Sequence, residues 1–445
     1  MLPFATIPPS LAGVLDIFGA CFTKPTFDTF TGLVTGLIGQ TRRRTVCGML
    51  LGAGLEHSWH HSRAHRFFAK ARWSADGVGL ALAVLIVDLL VPPGTAITLA
   101  IDDTLFKRSG KKVFGALWQH DGAAKGPKAV GFGTCFVVAG IVVDLPFLTR
   151  PVCLPVLARL WRPKHTGKLA HARQMAEKIA ARFPSRTVHV VGDAAYVGEH
   201  LRGLDGRITW TSRLKVTSVL HHLAPPRTGR SGRPKTKGER IGTASDLAKI
   251  VVWRTAQVRR YGRIDTIEIA EAICLWYGSF HTRTIRVIGV RDAYKTRQRS
   301  KTGHDRGYGL ALVTTDLVSA PHHIVTRYAG RWSIEVTFGD ARQILGVGQA
   351  RNRVRPAVER TVPFGLFCYS ITVLWYATAG HHPADAKEHR ARARWYTTKA
   401  EPSFDDMIVK LRRVIIAHRF RHPGTDLPEP EDIRAVQLAW ATAGT

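Results

Sequence analysis

Hydrophobic and polar positions follow two different periods along this chain. Up to about residue 92 the period is helical: Phe18–Cys21, Leu33–Ile38 and Val46–Leu55 form apolar patches at helical spacing. Val78–Val91 reads as a buried helix stopped by Pro92, Pro93 and Gly94. From Ala96 the pattern becomes extended. Ala96–Thr104, Val113–Gln119 and Ala129–Val143 predict strands, and the short Gly- and Lys-rich turns between them predict antiparallel neighbours. Gly167–Phe183 then predicts a helix with Leu169, Met175, Ile179 and Ala180 on its apolar side. It leads into a strand ending at Asp193, a short helix over Tyr196–Leu201 and a strand over Arg207–Leu214.

From Lys215 to about Tyr308 the pattern changes again. A loop rich in Pro, Gly and Arg, Pro225–Gly238, opens a segment with strand-like alternation in Ile250–Val258, Ile264–Cys274 and Thr284–Val290. Leu310–Thr315 predicts one more strand, and a helical region carrying Ile324–Arg342 starts at Ser319. Pro363–Ala379 is the next apolar helix, followed by a cationic loop at His389–Arg394 and an amphipathic helix over Phe404–Phe420. The end from Pro423 is expected to be loosely ordered. No internal repeat interrupts this order.

Charge sharpens the picture. The chain holds 64 Lys and Arg against 33 Asp and Glu, a formal net charge of +31, so its surface attracts polyanions, with nucleic acid first among them. Residues 213–306 alone carry 21 Lys and Arg against 7 Asp and Glu, which marks a polyanion-facing insertion. Trp253, Trp276 and Tyr277 in that segment suit either a core or stacking on an unpaired base. The run His57–Trp73 mixes cations with aromatics, as a helix lying on a phosphate backbone would. His61 and His65 have the spacing of metal ligands but no acidic or Cys companion. Six scattered cysteines without a C-x-x-C pair argue against a zinc module or disulfide scaffold and for a reducing compartment. The start lacks the pattern of a signal peptide, and the apolar runs fall short of the ~20 residues that span a bilayer. The expectation is a soluble cytoplasmic protein of two to four domains.

Three carboxylates stand out. The apolar run Thr98–Thr104 ends in Asp102 and Asp103, and Thr187–Asp193 ends in Asp193. An acid closing a buried strand is costly unless a cation meets it. At helical pitch Tyr328, Arg331, Glu335 and Arg342 share one face, while Trp332, Val336 and Phe338 are left to hold that helix against a core. Alone, a Glu between two Arg residues reads as a surface salt bridge. Together with the two strand ends, it suggests three carboxylates converging on a divalent metal, for which hard oxygen ligands suit Mg²⁺ or Mn²⁺.

Asp103-Thr104, Asp193-x2-Tyr196 and Tyr328-x2-Arg331-x3-Glu335-x6-Arg342 resemble the DDE transposases of bacterial insertion sequences, in the branch with a Y-x2-R-x3-E-x6-K signature and a β-rich insertion. Arg342 stands where that signature has Lys, which exchanges a point charge for a fork. The resemblance implies an α/β, ribonuclease H-like catalytic core (95–214 and 309–385) interrupted by a basic β-rich insertion (215–308). It also implies an N-terminal helical DNA-binding domain (1–94) and a C-terminal helical tail (386–445). In such a fold the first strand and the one ending at Asp193 lie side by side. Asp103, Asp193 and Glu335 would be the catalytic, metal-holding residues, with Asp103 favoured over Asp102 by the family's Asp-Thr pairing and strand alternation sending Asp102 to the other side. Tyr328, Arg331 and Arg342, with Arg230, Arg233 and Lys235 of the loop, would contact DNA. The implied activity is Mg²⁺- or Mn²⁺-dependent cleavage of double-stranded DNA at terminal inverted repeats and joining to target DNA by a dimer assembled on the ends. A nuclease of the same fold and an inactive DNA-binding relative are the alternatives. No membrane partner is expected, since the apolar runs are too short to span one, and the charge and the Arg-framed Glu335 disfavour glycosidase chemistry.

Overall fold

A computed structural model of the chain describes residues 7–122, 124, 129–226, 233–292, 306–392, 395, 397–419 and 430–443. The first five helices are α1 (Pro9–Leu15), α2 (Lys24–Gly39), α3 (Val46–Ala53), α4 (His61–Ala69) and α5 (Ala75–Leu90), with a 3₁₀ stretch at Asp16–Cys21. Thr45 and Ser74 start α3 and α5 by accepting from the backbone N–H of Gly48 and Gly77. Helices α2 and α3 touch backbone to backbone. A Cβ at Gly36 would lie 1.7 Å from the Met49 carbonyl oxygen, so only glycine permits that approach.

Strands then build one sheet: β1 (Ile97–Lys107), β2 (Leu117–His120), β3 (Val130–Val143) and β4 (Val152–Trp161), then, after helix α6 (Lys168–Arg182), β5 (Val188–Gly192) and β6 (Ile208–Arg213). Next come β7 (Leu220–His221), β8 (Arg240–Gly242), the short helix α7 (Ala244–Ile250), β9 (Arg254–Arg260), β10 (Arg263–Leu275), α8 (Tyr277–Phe280), β11 (Thr284–Asp292) and β12 (Leu310–Thr314). Their order is β2-β3-β1-β5-β6-β12-β11-β10-β7-β8, with β4 also on β3 and β9 also on β10. β1, β5 and β6 run parallel, and every other pairing is antiparallel. The strands of residues 215–308 therefore extend the same sheet, which is mixed within an α/β fold.

Several expectations need correction. Strand β4 was not expected at all, because Pro151 and Pro155 break its pattern. Pro155 is tolerated because the β3–β4 register shifts there, between Ala139 and Gly140. The strand expected at Val113–Gln119 shrinks to β2. The cationic loop at His389–Arg394 is helical as far as Arg392, in α12 (Asp385–Arg392), and the segment beyond Pro423 contains a helix, α14 (Pro430–Thr442), after α13 (Phe404–Arg419).

The expected helix over Ile324–Arg342 is two, α9 (Pro321–Gly330) and α10 (Trp332–Gln343), meeting at Arg331. After them α11 (Arg355–Trp375) starts eight residues before the expected Pro363. It is long and apolar enough to cross a membrane by length and composition, yet 83% of its apolar window is buried inside the fold. Phe364 of α11 meets Phe30 and Phe68 edge-on at 5.9 and 5.2 Å, so the first helices and α11 share one core. That core also takes in the buried faces of β1, β3, β4 and β5, and so holds the strand ends described next.

Candidate active site

The parallel register pairs Ile101 of β1 with Gly192 of β5. Asp102 and Asp193 each follow one residue later, so the two carboxylates emerge side by side, Asp102 midway along β1 and Asp193 just past the end of β5. Asp193 lies just beyond β5, where its Oδ1 accepts from the Ala195 N–H at 2.7 Å and shapes the turn.

Alternation along β1 sends Asp102 and Thr104 to the face covered by α10. Arg331, at the α9–α10 junction, donates from Nη1 to Asp102 Oδ2 at 3.0 Å and from Nη2 to Glu335 Oε1 at 2.7 Å. One guanidinium thus bridges two carboxylates from opposite ends of the chain. Its Nε is buried without a partner. Arg342, two turns further along α10, donates to Thr104 Oγ1 at 3.0 Å. Burial, opposed by Arg331 but reinforced by the charges of Asp193 and Asp103, pushes the Asp102 carboxyl up to about 7. Burial raises the Tyr328 hydroxyl as well, and Asp193 and Arg331 both act on it. Its ring centre lies 5.9 Å from the Arg331 guanidinium. Asp102, Asp193, Tyr328, Arg331 and Glu335 therefore form one neighbourhood.

Asp103 does not belong to it. It faces α6, where its carboxylate accepts from Lys168 Nζ at 2.6 Å, the Tyr196 hydroxyl at 2.7 Å and Cys135 Sγ at 3.3 Å. The expectation that Asp103 would join Asp193 and Glu335 is thus reversed by the strand's two faces: Asp102 is the one turned towards them. Lys168 and Cys135 had no sequence signal linking them to an aspartate. Burial, reinforced by Asp103, drives the Cys135 thiol far above its usual range, which disfavours the thiolate.

Trp332 and Val336, expected to hold the helix against the core, are about half exposed, and Phe338 alone of the three is buried. Arg233 and Lys235 are exposed on the segment before β8, and Arg230 lies outside the described residues. In the N-terminal helices, Arg63 of α4 stacks on Trp59 at 3.7 Å and donates to Thr29, a structural use of a residue in the run expected to face phosphate. His65 Nε2 sits 3.5 Å from Cys47 Sγ. Among the described residues no three His, Cys, Asp or Glu side chains stand close enough to hold a metal as they are placed. At the strand ends Arg331 supplies the positive charge between the acids.

The donor chemistry nevertheless fits a hard divalent cation: Asp102, Asp193 and Glu335 offer only carboxylate oxygens. Asp102, raised by burial and by the neighbouring charge of Asp193, is also a group that a cation stabilises. Among known proteins, a family model described as DDE superfamily endonuclease matches residues 18–272, a span that contains both strand ends. A comparison with curated proteins found no match.

Proposed function

Because the chain belongs to the DDE superfamily endonucleases, whose substrate is DNA, we propose that it is a transposase that binds terminal inverted repeats, cleaves there and joins the ends to target DNA. The observation that carries this reading is the bridge from Asp102 through Arg331 to Glu335, with Asp193 alongside. The sheet supports it too. The order β4-β3-β1-β5-β6, antiparallel and then parallel, is that of a ribonuclease H-like core. We assign that core to 95–214 and 309–385, interrupted by the basic segment 215–308, with DNA-binding helices before it and a helical tail after it.

We assign Asp102, Asp193 and Glu335, rather than Asp103, to the metal-holding set. A bound Mg²⁺ or Mn²⁺ supplies Lewis-acid activation of the attacking hydroxyl and stabilises the leaving oxygen of the phosphodiester. The chain's own residues position the strands. Arg342 would offer its guanidinium to phosphate oxygens and Tyr328 its hydroxyl, while Arg331, held by Asp102 and Glu335, would reach phosphate only once a cation takes its place between the acids. Arg233 and Lys235, exposed before β8, and Arg230 of the same basic stretch of sequence would add DNA contacts through their charge. Two copies on paired ends are the expected assembly.

The test is Mg²⁺-dependent cleavage of a labelled duplex carrying the repeats that flank the gene, comparing the native chain with Asp102→Asn and Glu335→Gln. Cutting at the repeat boundary by the native chain alone supports transposition. Cutting of any duplex at random sites supports the nuclease reading instead.

A further inference from the structure

A groove of about 600 Å³ opens beside the strand ends. Three distant segments form it: the end of β1 with the loop behind it, the stretch after α10, and Arg43 from the loop between α2 and α3. Arg43, Lys107, Arg108, Arg342, Arg351 and Arg353 line it, against a single acid, Asp121. Asp121 is buried and already paired with Lys107 at 3.1 Å. The side chains of Arg43, Arg351 and Arg353 are exposed, and among the described residues no acid lies within ion-pair distance of them.

Backbone contacts keep these walls in place. Arg44 Nη2 donates to the Ile344 carbonyl and Gln349 Oε1 accepts from the Arg44 N–H, both at 2.9 Å. Arg108 Nη1 donates to the carbonyls of Gly348 and Ala350, which leaves its Nε and Nη2 buried without partners. Phe114 N–H donates to the Arg353 carbonyl at 3.0 Å. So many like charges held around one space repel each other and call for a polyanion to neutralise them. At one end, Arg342 lines the groove while bonding Thr104, two residues from Asp102. That end of the groove therefore lies beside Thr104, on the same face of β1 as Asp102.

We propose that this groove holds the phosphodiester backbone of one unpaired DNA strand, one or two nucleotides long, next to the scissile phosphate. The proposal rests on the endonuclease reading of the site. Guanidinium forks match phosphate oxygens two at a time, which suits a chain of phosphates better than a single small anion. A volume in the range of small-ligand pockets accommodates a nucleotide or two within the groove, a depth that a splayed single strand reaches more readily than a paired one.

The experiment measures binding of the full-length protein to a fluorescein-labelled oligothymidylate, and to a blunt duplex of equal length, across a salt series. Native protein is compared with Arg43→Ala/Arg351→Ala/Arg353→Ala and with the single reversal Arg351→Glu, which keeps the test open if the triple variant melts early. Losing three phosphate contacts should reduce the slope of log K against log salt by about 2 for the single strand, from roughly 0.7 per contact. Arg351→Glu should weaken single-strand binding at least tenfold, and the duplex should change less. An unchanged single-strand slope, or an equal loss for the duplex, overturns the proposal. If the native chain still cuts the repeat duplex, only the groove assignment falls. If it neither cuts nor binds any DNA, the endonuclease reading falls with it.

Discussion

The Tyr196 hydroxyl donates to Asp103 Oδ1 at 2.7 Å, while the backbone carbonyl of the same tyrosine accepts from Trp210 Nε1 at 2.7 Å and Ser212 Oγ at 3.0 Å. One fully buried residue thus ties β1, through its side chain, and β6, through its backbone carbonyl, to the turn carrying Asp193. We propose Asp103 as a positioning residue for Asp193; its neighbour Asp102 is the acid that shares Arg331 with Glu335.

The two aspartates should therefore respond differently to the same change. Asp102→Asn should abolish strand cleavage with little loss of stability. Asp103→Asn leaves Lys168 without its counter-charge and weakens the Tyr196 bond, so it should cost about 1–3 kcal/mol in urea denaturation while slower cleavage persists. Full stability with no cleavage in Asp103→Asn would return Asp103 to the catalytic set.

Arg331 holds two acids at once, and removing it leaves Asp102 buried with no cation beside it. Arg331→Gln should lose about 3 kcal/mol of stability in metal-free buffer, and added Mn²⁺ should restore part of that loss by taking over the positive charge. Denaturation with and without MnCl₂ reads this directly. A variant as stable as the native chain, and indifferent to Mn²⁺, would mean that Arg331 is not the counter-charge of these acids.

Asp340 gives a pH signature of its own. Burial, reinforced by Asp405, raises its carboxyl to about 6. With its folded value above its unfolded one, near the ordinary ~3.9, the native state binds the extra proton. Its contribution is therefore complete below about pH 4 and is lost as pH rises through about 6. Asp340→Asn should remove that fall, leaving a flatter stability profile between pH 4 and 6 in urea titrations. A profile identical to the native one would place the titration elsewhere.

Much of the site could be read from the chain because strand ends announce themselves. An apolar run closed by an acid gave Asp102, Asp103 and Asp193, and the parallel contact of the two strands followed from their place in the element order. Choosing between Asp102 and Asp103 needed what lies on each face of β1, and neither Lys168 nor Arg331 is near them in sequence. Strand β4 was hidden for a different reason: a proline inside a strand is tolerated only where the ladder is already broken, and a bulge leaves no mark in one strand's own sequence. Trp332 and Val336 misled because they line an open groove instead of the core and stay 48% and 49% exposed, which helical spacing alone does not reveal.

The edge-on packing of Phe364 against Phe30 has a bearing on how the protein is made. At a ribosomal pace of about 5–20 residues per second, Phe30 waits roughly tens of seconds before its partner in α11 is even synthesised. During that interval the nascent helices α2 and α4 carry Phe30, Phe67 and Phe68 without the surface that covers them in the finished protein. Chaperone demand during translation should thus be set by the first helices, although the strand-end acids come from further along the chain.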